Sequence, residues 1–283
     1  MFDKFLKLLP LKRFRNPDPV VAVLRLHGVI GRMGPVGSGG LTHNGLEKTI
    51  EKAFSVKRLS VVALSINSPG GSPVQSSLIA RRIRELAEEK DIPVYGFVED
   101  VAASGGYWLA CAADEIFADE NSIIGSIGVI SSGFGFTEAI EKLGVERRVH
   151  TSGKNKAMLD PFQPEDPKEI EKLTAIQKEI HESFKNLVKE RRGERIKAGE
   201  EELFEGDIWT GRGAEAIGLI DGLGELRSVM KKRLGEKTRF RNVSQRTNPI
   251  RRLLGGGESR LRGQLLTGAA VLEEWSLWKR YGL

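Results

Sequence analysis

A chain of 283 residues with 40% apolar and 29% charged residues can bury a large core, and no run of about 18 apolar residues offers a span of a bilayer. Its one cysteine, Cys111, excludes an internal disulfide framework, and the four histidines (His27, His43, His150 and His181) do not fall at metal-ligand spacing, so no metal or cofactor is expected. The net charge of +6 is uneven: residues 226–283 carry about +10 and the rest about −4, so the basic character belongs to the tail.

Residues 1–16 interleave Phe2, Phe5, Leu6, Leu8 and Leu9 with Lys4, Lys7, Lys12 and Arg13. The apolar run is too broken for a secretory signal, and no small-residue cleavage site follows. With neither a cleavable signal nor a transmembrane helix, the expected location is cytoplasmic or peripheral on a membrane. A basic amphipathic helix on an anionic surface and a terminus docking on a partner both fit this stretch. The basic tail is the second candidate for peripheral membrane contact.

Residues 20–26 form the first expected strand, a Gly-rich loop spans 31–40, and a helix covers about 45–54. Residues 60–66 are strongly apolar, with β-branched Val61, Val62 and Ile66, which suits a central parallel strand covered on both faces. After Asn67, Ser68, Pro69, Gly70 and Gly71, Ser72 reads as a helix cap with Pro73 in the first turn. The helix behind them puts Ile79, Ile83, Leu86 and Ala87 on one stripe. Residues 93–98 are a third strand, and a small-residue helix opens near Ser104 and runs through Cys111. Short strands are expected at 115–118, 125–130 and 147–150, and helices at 137–143, 166–191 and 211–217. The alternation argues for an α/β core with a mainly parallel sheet and flanking helices, ending near Leu226. Residues 236–263 read as flexible, and 264–283 as an amphipathic helix.

Two neighbouring strand–helix turns carry the chemistry. Gly70 and Gly71 bring bare backbone N–H groups to the carboxyl end of a parallel sheet, where ligands commonly sit. One strand later, Ser104 stands at a helix start among Ala102, Ala103, Gly105 and Gly106. A helix-capping serine and a nucleophile both fit that position alone. The pair of turns, aiming N–H donors at one point, has the form of an oxyanion hole. A base is harder to find. His27 and His150 are distant in sequence, and Lys154 and Lys156 share a loop after residue 150. A lysine becomes a base only when desolvation lowers its pKa by several units from about 10.4.

Together these segments resemble the signal peptide peptidase A family, peptidase family S49, in its short single-core form. The resemblance rests on the Asn67-to-Gly71 turn, the stretch from Ala103 to Tyr107, the stretch from Ile124 to Val129, the loop Ser152–Gly153–x–x–Lys156, and the stretch from Trp209 to Asp221. It implies a Clp protease/crotonase-like core over 20–226, between a basic segment at 1–19 and a basic tail at 227–283. It further implies Ser104 as nucleophile, Lys156 as general base, Ser126 as the hydroxyl that orients the lysine, and backbone N–H groups of Gly70 and Gly105 facing the oxyanion. The implied activity is a serine endopeptidase with a Ser–Lys dyad, cutting hydrophobic peptides such as signal peptide remnants or unfolded segments. The implied assembly is a homo-oligomer with active sites near subunit interfaces. Tyr107 and Trp108 are expected to pack.

Three other readings compete. A crotonase-like acyl-CoA enzyme would need Glu99 or Asp100 as its acid/base group. A membrane-surface scaffold would use the two basic ends. Nucleic-acid binding by the tail is not expected, because no reading motif accompanies its charge.

Overall fold

The computed structural model describes residues 18–31, 40–243 and 278–282. The described chain begins with strand β1 (Val20–His27), helix α1 (His43–Ala53), strand β2 (Leu59–Ser68) and helix α2 (Pro73–Lys90). Strand β3 (Val94–Ala103), helix α3 (Gly105–Ala110), β4 (Glu115–Ala118) and β5 (Ile123–Gly125) follow. Beyond them come α4 (Thr137–Lys142), α5 (Pro167–Arg192), α6 (Glu200–Leu203), β6 (Ile208–Thr210), α7 (Gly211–Ile217), β7 (Gly222–Leu223), α8 (Leu226–Leu234) and β8 (Arg239–Val243).

The sheet runs β6-β5-β3-β2-β1-β8, with β4 beside β3 and β7 beside β4. All pairings are parallel except β5 with β6. β2 lies in the middle, as its strongly apolar run predicts, because helices cover both faces. Alternate residues go to opposite sides. Ala22, Leu24, Leu64 and Ile66 face a core closed by α1, α2, α3 and α5. Val21, Val23, Val61 and Ala63 face a smaller core with Phe97, Phe117 and Met230 of α8. The predicted stripe of α2 is buried, with Ile79 and Ile83 fully enclosed. Ser72 caps this helix, its hydroxyl accepting from the Gln75 N–H at 3.4 Å, with Pro73 in the first turn. Helix α5 is the expected long helix, capped by Asp166.

Three expectations are corrected. The strand at 125–130 stops at Gly125: the chain turns out of the sheet where Gly125 has φ +114° and Ser126 φ +51°, and Ser126 N–H donates to Asp207 O at 2.6 Å. Residues 147–150 form no strand, because they lie on an exposed segment with no neighbouring strand to pair with. The folded unit also runs past Leu226. Met230 is fully buried and β8 pairs with β1 over Val20 to Leu24. The expectations for residues 1–16, most of the 31–40 loop, 244–263 and most of the terminal helix lie outside the described residues.

Candidate active site

The carboxyl ends of β2 and β3 each break into a glycine turn, and the two turns touch. The first turn, Pro69 to Gly71, is pinned to the segment after β1: Ile30 N–H donates to Gly70 O, and Ser72 N–H to Ile30 O, both at 2.8 Å. Gly70 has φ +104°, and a Cβ placed on it would lie 2.8 Å from the Ser104 Cβ and 2.9 Å from Ala103 O. Only glycine allows this backbone conformation and this approach at once. Gly106 is held as closely, since a Cβ there would collide with the Ser68 carbonyl.

Ser104 occupies the cap position of α3 without capping it. Its side chain makes no cap hydrogen bond, and its backbone sits at φ 51°, ψ −121°. A non-glycine residue pays about 1–3 kcal/mol to stay in such a region, and strain of this kind gathers at functional sites. The backbone holds it there. Ser104 N–H donates to Gly125 O at 2.8 Å, and Ser104 O accepts from the Tyr107 and Trp108 N–H groups at 3.0 and 3.1 Å. The contrast with Ser72 separates the two readings of a serine at a helix start: Ser72 caps its helix, and Ser104 leaves its hydroxyl unspent.

Beside this hydroxyl are two N–H groups, of Gly105 and Gly71, with no hydrogen-bond partner among the described residues. A Cβ on Gly105 would lie 3.4 Å from Gly71 N, so the two donors are near neighbours. The Gly70 N–H, expected from sequence to serve here, donates instead to Ser68 Oγ at 3.2 Å within its own turn. Ser126 and Ser104 border one groove of about 640 Å³, together with Ile30, Pro69, Val129 and Glu205. Arg280 and Tyr281, near the end of the chain, border it as well.

Lys156 stands apart from this group. It is exposed, its N–H closes a turn onto Gly153 O at 3.2 Å, and its side chain pairs with no described residue. Neither Lys156 nor Lys154 borders the groove. Both belong to a segment, residues 131–166, whose apolar side chains face outward: Phe134 is 82% exposed and Leu143 76%. The segment nevertheless has its own internal order. Arg147 pairs with Asp160 at 2.9 Å and stacks over Phe162, and that bond is the first cause of an Asp160 carboxyl held below the usual range.

The other candidates are engaged elsewhere. His27 Nε2 lies 2.8 Å from Ser65 Oγ, whose hydroxyl donates to Glu99 at 2.6 Å. Asp100 accepts from the Asn67 amide at 2.6 Å. Neither of these two carboxylates, the ones the acyl-CoA reading would use, borders the groove. His150 is exposed and also outside the groove. Among the described residues no cluster of His, Cys, Asp and Glu could hold a metal, and no helix is long and apolar enough to cross a membrane.

The model of peptidase family S49 matches residues 86–238, which contain Ser104, Ser126 and Lys156. This chain belongs to peptidase family S49. A chloroplastic serine protease SPPA of Arabidopsis thaliana is 32% identical over 272 residues, covering 91% of this chain and 39% of that one. A putative protease of Synechocystis, slr0021, is 31% identical over 235 residues, 79% of this chain and 82% of that one. A Brucella abortus protein named Na(+)/H(+) antiporter NhaA is 47% identical over 287 residues, 98% of this chain and 39% of that protein. The chain thus spans well under two thirds of the length of the first relatives it matches.

Within this S49 chain, the sequence marked the Gly70–Gly71 turn as a source of free N–H groups but assigned the oxyanion to Gly70. It missed the lock behind the serine helix, the pair of Arg192 with Asp221 at 2.7 Å. Tyr107 is fully buried and its hydroxyl donates to Leu219 O at 2.7 Å, while Trp108 stacks on Phe184 with ring centroids 4.7 Å apart. Both aromatic residues pack, as expected. A signal for the lock existed in Arg192, which falls on the apolar side of α5 near Phe184 and Val188; nothing in the sequence says that Asp221 meets it.

Proposed function

We propose that this chain is a serine endopeptidase with Ser104 as nucleophile and Lys156 as general base, acting on extended apolar peptides such as signal peptide remnants or unfolded segments. The observation that carries the reading is the strained, uncapped Ser104 beside the free N–H groups of Gly105 and Gly71. Neutral Lys156 takes the hydroxyl proton as Ser104 Oγ attacks the peptide carbonyl. The oxyanion is held by Gly105 and Gly71 N–H, with Gly70 shaping the turn; such donors are worth about 2.7–4 kcal/mol each. The lysine, oriented by the Ser126 hydroxyl, then passes its proton to the leaving amine. Water attacks the resulting Ser104 ester and gives its proton to the lysine, which returns a proton to the departing Ser104 Oγ as the acid is released.

The exposed place of Lys156 favours a homo-oligomer. Docking of residues 131–166 on a neighbouring copy would cover Phe134 and Leu143 and take Lys156 out of water beside that copy's Ser104. Desolvation is what favours an uncharged amine. No cofactor is needed in this scheme, and the basic ends are left for peripheral membrane contact.

The test is labelling by a fluorophosphonate probe together with hydrolysis of a fluorogenic apolar peptide. Ser104→Ala should abolish both, and Lys156→Ala should abolish hydrolysis. Mixing the two inactive variants should restore activity if the dyad is shared between subunits. Labelling that persists in Ser104→Ala would overturn the assignment.

A further inference from the structure

Strand β3 reaches Ser104 only through an irregularity. On β2, Ile66 and Ser68 are two residues apart; their partners on β3, Val98 and Ala102, are four apart. Two extra residues are therefore looped into β3 just before the serine turn. An even number keeps the inward and outward faces in step, so Val98 and Ala102 both still reach the main core. The extra length decides which residue arrives opposite Gly70. With uninterrupted pairing, Ala102 would be displaced by two positions and Ser104 would miss the turn whose glycine it now touches.

A bulge leaves backbone groups without ladder partners, and side chains take them here. Ser122 Oγ donates to Glu99 O at 2.5 Å. Asn67, the β2 residue opposite the bulge, spans it with both ends of its amide. Its Oδ1 accepts from Val101 N–H at 3.3 Å, and its Nδ2 donates to Asp100 Oδ2 at 2.6 Å. An amide fits both partners at once, since one is an N–H donor and the other a carboxylate acceptor. An aspartate would face Asp100 charge to charge, and an aliphatic residue would serve neither. Asn67 also opens the first glycine turn, its carbonyl accepting from Gly28 N–H at 2.8 Å.

We propose that Asn67 is a positioning residue for hydrolysis at Ser104: by clamping the bulge of β3 it sets the register between the turn that carries the Gly71 donor and the turn that carries the serine. This rests on the reading of Ser104 as nucleophile. Asn67 touches neither groove nor substrate; it acts through Val101 and Asp100.

The experiment compares four full-length proteins, the wild type, N67A, N67D and the double variant N67D/D100N, by fluorophosphonate labelling rate and by peptide kinetics. A displacement of the serine by a fraction of an ångström to 1 Å should slow labelling and kcat about 10- to 100-fold in both single variants. KM should stay within about twofold, because the groove is untouched. N67D/D100N re-creates the clamp with donor and acceptor exchanged and should recover to within about threefold of wild type. Labelling of N67A at the wild-type rate overturns the proposal, as does a double variant that stays as slow as N67D while melting like wild type. If N67A fails to fold, D100A removes one arm of the clamp from the solvent side; a wild-type rate there overturns the proposal equally. A wild type that does not label overturns the reading of Ser104 and this inference with it, whereas a labelled wild type with unaffected variants overturns the inference alone.

Discussion

Asp221 receives both terminal nitrogens of Arg192, at 2.7 and 3.1 Å, at a point where the arginine is 2% exposed. The pair closes the space behind the serine helix. Arg192 Nε also donates to Gly218 O at 3.0 Å, and Asp221 accepts from Ile116 N–H at 2.7 Å. Burial would push the Asp221 carboxyl up, but the bonds from Arg192 and Ile116 outweigh it and hold it below the usual range. Its stabilising contribution is thus complete above the unfolded value of about 3.9 and is lost as pH falls through the lower folded value. Arg192→Ala should cost about 3 kcal/mol in urea unfolding, since it leaves the half-buried Asp221 carboxylate only the exposed Arg195, at 3.2 Å, and the Ile116 N–H. Asp221→Asn should flatten the acid limb of a Tm-against-pH curve below about pH 4. A variant curve parallel to wild type there would contradict this account.

The strain at Ser104 predicts a stability gain from an inactivating change. At φ +51°, glycine is at ease and alanine is not. Ser104→Gly should unfold at higher free energy than Ser104→Ala by about 1 kcal/mol, with both devoid of hydrolysis. Denaturant melts of the two proteins decide it, and equal midpoints would mean that the elbow is relaxed.

Cys111 ends the serine helix and is buried, and burial pushes its thiol up to about 12. A thiol, and not a thiolate, is therefore present at neutral pH, and it should resist iodoacetamide in the native protein. Alkylation should appear only across the unfolding transition, as read by mass spectrometry in a urea series.

Phe134 and Leu143 sit on the same outward-facing segment as Lys156. Changing both to serine should weaken self-association and reduce peptide hydrolysis in parallel, while a fresh circular dichroism spectrum stays unchanged. Light scattering coupled to size exclusion gives the mass. A variant of unaltered mass and activity would remove the case for a covered segment.

The parts of the fold legible in sequence were those where a side-chain period carries the information. The strongly apolar run at 60–66 announced a central strand, and Ile79, Ile83 and Leu86 announced the buried side of α2. Strand partners are not written in any period. Residues 147–150 look like a strand but have no neighbour, whereas Arg239 to Val243 look too polar for one and yet find the edge of β1. At the site, the small residues around Ser104 marked the turn, but which glycine keeps a free N–H depends on where one hydroxyl points. Ser68 takes the Gly70 hydrogen, and that choice is invisible before the turn is built.

The pairing of β8 with β1 joins segments more than two hundred residues apart, and Arg239 also bonds Asp18 at 2.9 Å. During synthesis, β1 leaves the ribosome first and must keep one edge unpaired until nearly the whole domain has followed. An open parallel edge of that length is a template for other nascent chains. A protein cut at Leu226, where the composition suggests a natural border, would carry this edge permanently and should aggregate; one ending after Val243 should not.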